Sequence, residues 1–298
     1  MTRAAPAPRS QPEGAYLRDL VPLRLQGPIE LIDRATVVLR TRIRDLLVVS
    51  FAINLPIWLL LASVLRDEWA RGLSENPQWF WSSILPEPFL FFSAGTGTHG
   101  DLWAFVLGRA LPSFGLAATG AAAGVLVSSW AAGRPMTGTE ALLAVARRGH
   151  KLLALWAVIH VLEVGTGIGL LLGPLVFGVA APLWAIESSS VWGAVKRSWT
   201  LSLRQMGRVL VVVVLGTAIA SLVGTLLGSV PLLVLFGLAG EWVDLGGTAI
   251  VSLAGVLPHL VLDPLLAMAM ALLAVDLKVR SEGADLQAEL DELHRSDA

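Results

Sequence analysis

Six apolar runs, each near the length that crosses a bilayer, dominate this chain and leave little room for any other architecture. A helical span needs about 20 mostly apolar residues. The runs lie at roughly 46–65, 103–132, 152–168, 170–186, 209–236 and 248–276. Composition agrees: 55% of residues are apolar and 15% charged, and mean hydropathy is +0.69. A typical soluble domain is about 25% charged. Disorder, a coiled coil and an ordinary soluble enzyme are disfavoured together. The net charge of −1 gives no field that attracts DNA or RNA, so no nucleic-acid partner is expected. The expected fold is all-α: a polytopic integral membrane protein with a six-helix transmembrane bundle.

The third and fourth runs are joined by the glycine-rich GTGIGLLLG, which reads as a tight hairpin. Gly165, Gly167, Gly169 and Gly173 weaken helix there, so two re-entrant half-helices are the alternative. Orientation follows from the basic residues. Of the 22 Lys and Arg, 19 precede the first run, separate the second from the third or the fourth from the fifth, or follow the sixth. Excess Lys and Arg mark the cytoplasmic side. Both termini are therefore expected in the cytoplasm, as a multi-pass protein of a bacterial cytoplasmic membrane. Residues 1–26 hold arginines and prolines but no apolar core of a signal peptide. They read as a disordered tail, 27–280 as one transmembrane domain and 281–298 as a second tail.

Three basic amphipathic stretches precede the first, third and fifth runs. In the first, Ile29, Ile32, Thr36, Leu39 and Ile43 recur near helical spacing. A shift of 106 aligns Ala35 with Ala141, Arg42 with Arg148 and Leu46-Leu47 with Leu152-Leu153. In the third stretch Ser198 takes the small-residue place and Val209-Leu210 the start of the run. The chain reads as three copies of one unit: interfacial helix, basic elbow, helical hairpin. Arg40, Arg42, Arg44, Arg147, Arg148 and Lys151 are the candidate lipid-headgroup contacts, or simply anchors. Membrane lipids are thus the expected partners, with a membrane protein as a further one.

Ionisable residues at membrane depth suggest function. His160 and Glu163 share one face of the third run, and His259 and Asp263 one face of the sixth. Convergence of the two faces would make a proton relay or metal site; hydrogen bonding within the bundle is the plainer reading. Pro258 and Pro264 are expected to break the sixth run. Gly120-x-x-x-Gly124 and Gly224-x-x-x-Gly228 allow close helix approach. In the segment 66–102, Trp79, Phe80 and Trp81 suit an outer interface or a docking segment. There is no P-loop and no nucleophile elbow. Ser188-Ser189-Ser190 reads as a cap for the helix that follows. With no cysteine, thiolate chemistry is excluded. No cofactor, metal or catalytic set is expected.

Three segments together resemble a known family. They are Pro22-Leu23 with Ile29 through Ala35; Pro182, Glu187, Ala194, Ser198-Trp199 and Leu201; and Asp276-Leu277, Arg280, Glu282-Gly283 and Asp285-Leu286. This pattern resembles the membrane domain of bacterial glycerophosphoryl diester phosphodiesterases, in an actinobacterial style, and related uncharacterised six-span proteins. The resemblance implies an all-helical membrane fold. It does not imply the phosphodiesterase reaction, which a separate soluble barrel carries in those proteins. Asp276 and Glu187, each at the end of a span, are expected to pair with elbow residues such as Arg197 or Arg204. The function expected is a non-catalytic membrane module that organises a complex or envelope lipids, with a transporter or channel-like protein as the alternative.

Overall fold

The computed structural model describes residues 13–21, 25–64, 102–166, 169–224, 226 and 245–283. Among these residues the secondary structure is helical, with no strand. A short helix, α1 (Glu13–Leu20), comes first. One plan then appears three times. α2 (Pro28–Thr41) turns at Arg42 into α3 (Ile43–Val64), and α4 (Leu102–Ala131) returns. α5 (Gly138–Ala146) turns at Arg147-Arg148 into α6 (Gly149–Thr166), and α7 (Gly169–Phe177) with α8 (Ala180–Glu187) returns. α9 (Val191–Arg204) turns at Gln205 into α10 (Met206–Gly224), and α11 (Leu245–Glu282) returns.

The repeat is physical, not only a pattern of letters. The carbonyl of each elbow residue accepts the N–H four residues on, in the first turn of the outgoing helix: Leu46 to Arg42 at 3.2 Å, Leu152 to Arg148 at 3.2 Å and Val209 to Gln205 at 3.1 Å. Arg42 and Gln205 share one backbone conformation, φ −120, ψ 32 and φ −129, ψ 34. Seven residues before the elbow stand Ala35, Ala141 and Ser198; four after it Leu46, Leu152 and Val209; seven after it Val49, Leu155 and Val212. All nine are at most 1% exposed. The small residue lets the amphipathic helix lie close to the bundle, and the aliphatic pair anchors the helix that leaves it.

Among the described residues, three helices hold segments long and apolar enough to cross a membrane: Ile43–Leu61 in α3, Leu111–Ala131 in α4 and Leu260–Glu282 in α11. The pair α9–α10 passes the same test together but bends by 98° at Gln205. α11 is the central post. Its apolar segment is 78% buried, against 22% for that of α3, and it packs on α2, α3, α4, α8 and α10. α4 also packs closely on α8. Gly124 makes it possible: a Cβ there would stand 2.8 Å from the Pro182 carbonyl oxygen and 3.0 Å from its Cα. The first GxxxG pair therefore serves packing within the chain.

Several expectations are revised. The fourth run is not one helix but α7 and α8, parted at Gly178-Val179. α11 runs unbroken through Pro258 and Pro264 and on to Glu282; proline is tolerated in apolar helices where the surroundings re-satisfy the freed groups. Asp276 consequently lies inside this helix rather than at its end. The inward face of α2 is Leu31, Ile32, Ala35 and Val38, while Ile29, Thr36 and Ile43 are exposed. Leu39 is partly buried beside this stripe, so the expected stripe shares Ile32 and Leu39 with it but is rotated toward the outer face. Within the stretch expected to be a disordered tail, α1 is ordered and Leu17, Leu20 and Val21 are buried. The segment with Trp79, Phe80 and Trp81, the continuation of the fifth run to 236 and Gly228 lie outside the described residues.

Candidate functional site: the elbow end of the bundle

The three elbows and the ends of the three returning helices meet at one end of the molecule. Gly27, Thr137 and Ser190 start the amphipathic helices there. Thr137 and Glu140 form a reciprocal cap, and the Thr137 amide and hydroxyl hold the Glu140 carboxyl below its ordinary value. Ser190 caps α9, its Oγ accepting the Gly193 N–H at 3.0 Å, as the serine run suggested. Ser188 ends α8 in the left-handed conformation, φ 50. Between the first two units, Asp45 of α3 accepts the N–H of Gly138 at 2.9 Å, and a Cβ on Gly138 would collide with the Asp45 backbone.

Two ionic clusters straddle the last two turns of α11. In one, Asp276 is 2% exposed and its carboxylate accepts from two guanidinium groups and one backbone N–H. Arg208 Nε donates to its Oδ2 at 2.7 Å, Arg280 Nε to the same oxygen at 2.9 Å, and the Gln26 N–H to Oδ1 at 3.0 Å. Arg280 Nη2 donates to the Gln26 carbonyl at 2.9 Å. The backbone of Gln26, in the strap joining α1 to α2, is thus held from both sides by α11. In the other cluster Arg197 pairs with Glu187 at 3.3 Å and with Glu282, and Lys278 reaches Glu187 at 3.1 Å. The pairing of Glu187 with Arg197 is therefore present. Asp276 takes Arg208 and Arg280 in place of Arg197 or Arg204, and Arg204 is exposed. Buried ions need this many partners, because desolvation outweighs a single contact.

The basic residues of the elbows divide into two groups. Arg40, Arg44, Arg147 and Lys151 are exposed. Arg42 and Arg148 turn inward, their guanidinium carbons 5.7 Å and 4.8 Å from the ring centres of Trp130 and Trp184. Both indoles are fully buried.

Deeper in the bundle, His160 is joined to Ser113 of α4. His160 Nδ1 is 3.0 Å from the Trp156 carbonyl, so it must carry the proton and donate. Nε2 is then an acceptor, 3.0 Å from Ser113 Oγ, which in turn accepts the Trp156 indole N–H at 2.9 Å. Glu163 packs on Gly173 of α7. Asp263 is half-buried on α11, and the side chain of His259 lies outside the described residues. α6 packs mainly on α4, α7 and α9, so α11 is not a principal neighbour of the His160–Glu163 face. No three His, Asp or Glu side chains come together among the described residues.

Arg208, Gln26, Lys278, Glu282, Ser113 and the two tryptophans are contributors that sequence reasoning missed. Trp130 and Trp184 each lie within the last four residues of a returning helix, but Trp-Ala pairs recur elsewhere in the chain, so the sequence alone did not single them out. No family model, no curated protein and no solved structure matches this chain.

Proposed function

We propose that the chain is a non-catalytic integral membrane module of a bacterial cytoplasmic membrane, a six-span bundle with both termini inside, that organises or supports a membrane protein complex or envelope lipids. The observation that carries this reading is the double ionic lock on α11. It ties the returning helix of the third unit to the α10 side of its elbow through Arg208, to α8 and α9 through Glu187 and Arg197, and to the strap before α2 through Gln26. Such multiply partnered, buried charges suit a rigid platform better than a moving gate, since each partner lost leaves a charge uncompensated. The charge asymmetry of the sequence supports placing this end in the cytoplasm. The resemblance to the phosphodiesterase membrane domain fits a helical membrane module and brings no reaction with it.

The test is affinity purification in mild detergent at native expression, with mass spectrometry of co-purifying proteins and lipids. A stoichiometric protein partner supports the platform reading. A lone protein carrying one enriched lipid overturns the complex-organising role and favours lipid handling.

A transporter or channel-like role is the second reading. The directional chain from Trp156 through Ser113 to His160 favours it, because polar groups at this depth line pathways in many transporters. It requires that His160→Ala abolish flux in proteoliposomes while leaving the protein folded. Unchanged flux removes this chain from any pathway.

A further inference from the structure

The outer face of α9 differs in kind from that of α2. On α9, Trp192, Lys196, Trp199 and Leu203 follow one another at helical spacing and are all exposed. The two indoles are 52% and 50% exposed. The matching face of α2 carries Ile29, Asp33, Thr36 and Arg40, mixed in polarity and in charge. α9 holds no acidic residue. Of its three cations, Arg197 turns inward to Glu187 and Glu282, whereas Lys196 and Arg204 are exposed on the outer side. The Lys196 ammonium lies 5.7 Å from the centre of the Trp192 ring. The opposite face, Ala194, Val195, Ser198, Leu201 and Ser202, is buried in the bundle.

Geometry says what the outer face meets. At Gln205 the chain bends by 98° into α10. If α10 runs along the bilayer normal, α9 lies nearly in the membrane plane. Beyond the bend, Leu210, Val211 and Val214 of α10 are aliphatic and each more than 40% exposed. Aliphatic side chains on α10, two half-exposed indoles along α9 and cations beside them follow the order of polarity from acyl chain to headgroup.

We propose that the outer face of α9 is a lipid-contact surface, with Trp192, Trp199 and Leu203 seated in the headgroup layer and Lys196 and Arg204 engaging the phosphates of anionic phospholipids. The proposal rests on α10 lying in the bilayer, and it stands whether the module organises a complex or transports a solute. It assigns the lipid recognition of the elbow end chiefly to the third unit, outside the set of elbow arginines named from the sequence.

The cysteine-free chain allows a direct test. Single spin labels are placed through Trp199→Cys, through Val211→Cys as a bilayer reference and through Ser281→Cys, exposed at the end of α11, as an aqueous one, in nanodiscs of equimolar phosphatidylcholine and phosphatidylglycerol. The expected result is collision with oxygen and protection from a water-soluble nickel chelate at position 199, intermediate between positions 211 and 281. A label at 199 as open to the chelate as one at 281, with 211 protected, overturns the proposal and leaves the membrane reading of α10 standing. Exposure of 199 and 211 alike overturns both. In the same discs, native mass spectrometry should find phosphatidylglycerol enriched among retained lipids. Lys196→Glu with Arg204→Glu should lower that enrichment by about fivefold for each residue. Equal retention by the wild type and the double variant overturns the anionic-lipid assignment.

Discussion

Arg42 and Arg148, one repeat apart, each lay a guanidinium over a fully buried tryptophan near the end of the helix that returns to its own elbow. The elbow is thereby fixed to the far arm of its hairpin. The third unit has Gln205 at this position and meets the same need with an ion pair, Arg208 to Asp276 at 2.7 Å. Three units therefore close three hairpins by a cation from the elbow region, twice on an aromatic face and once on a carboxylate.

A desolvated cation over an indole contributes up to about 2 kcal/mol, and an exposed one about half of that. The closer contact, Arg148 with Trp184 at 4.8 Å, should matter more than Arg42 with Trp130 at 5.7 Å. Arg148→Ala is expected to destabilise the protein by about 2 kcal/mol and Arg42→Ala by about 1 kcal/mol. Arg148→Lys should recover only part, because an ammonium lacks the planar face that stacks on the ring. Thermal unfolding in detergent, followed by tryptophan emission, reads all three. Equal losses at both sites would remove distance as the determinant.

Asp276→Asn should be among the most damaging single changes in the molecule. The carboxylate is buried, and its loss leaves Arg208 and Arg280 facing a neutral amide, a cost of about 3–5 kcal/mol. Glu187→Gln should cost less, since its side chain is 17% exposed against 1% for Asp276. Exchanging the pair, Asp276→Arg with Arg208→Asp, should fail to rescue, because the new arginine would stand against Arg280 one turn on. The order of unfolding midpoints among these variants is the measurement. Full rescue by the exchange would mean that Arg208 alone is the partner that counts.

The choice of Arg208 over Arg204 shows what a sequence can and cannot carry here. Both lie one turn or less from Gln205, on opposite sides of it. Only the 98° bend turns Arg208 toward α11 and leaves Arg204 outside. Without the elbow, the two are equivalent. The repeat itself was legible, because Ala35, Ala141 and Ser198 hold a spacing to the basic turn that packing enforces. The pair Glu187 and Arg197 was legible because a short cap places α8 and α9 side by side. The inward face of α2 was legible only in part, since Ile29 lies on the outer face and drew the expected stripe away from Leu31, Ala35 and Val38. The order in α1 was not legible, since its two buried leucines, with Val21 just after them, are too few to stand out as a run. At depth, His160 was visible as an ionisable group, but its partner Ser113 was one serine among many until α4 and α6 were placed together.

The two glycines of the α4 motif should respond in opposite ways. At Gly120 an added methyl would meet the Pro182 ring at 3.6 Å, an ordinary contact. Gly120→Ala should therefore be neutral or stabilising by up to about 1 kcal/mol, through better helix propensity. At Gly124 the same methyl would press on Pro182 backbone at 2.8 Å, where nothing flexible can give way. Gly124→Ala should cost about 1–3 kcal/mol, the usual range for overpacking. Thermal midpoints of the two variants in one detergent decide it. A destabilised Gly120→Ala would place the first glycine in the close contact as well.

Ser198 is where the third unit departs from its two counterparts, and the reason lies in the broken return arm of the second. The turn at Gly178-Val179 interrupts the hydrogen-bond ladder between α7 and α8, and Ser198 Oγ donates to the Val176 carbonyl at 2.6 Å in a fully buried position. Ala35 and Ala141 occupy the same place in their units as small apolar residues. Ser198→Ala keeps the close packing but removes the donor, so it should cost about 1–3 kcal/mol, the penalty for a buried carbonyl without a partner. Ser198→Thr keeps the donor and adds a methyl where no space is left, so it should also destabilise, by overpacking rather than by loss of a bond. Hydrogen exchange separates the two causes. In Ser198→Ala, protection should fall first at the amides around Gly178 and the start of α8, with α9 itself unchanged; in Ser198→Thr it should fall along α9. Uniform loss across both helices in Ser198→Ala would show that the hydroxyl holds α9 to the bundle as a whole and not the break in particular.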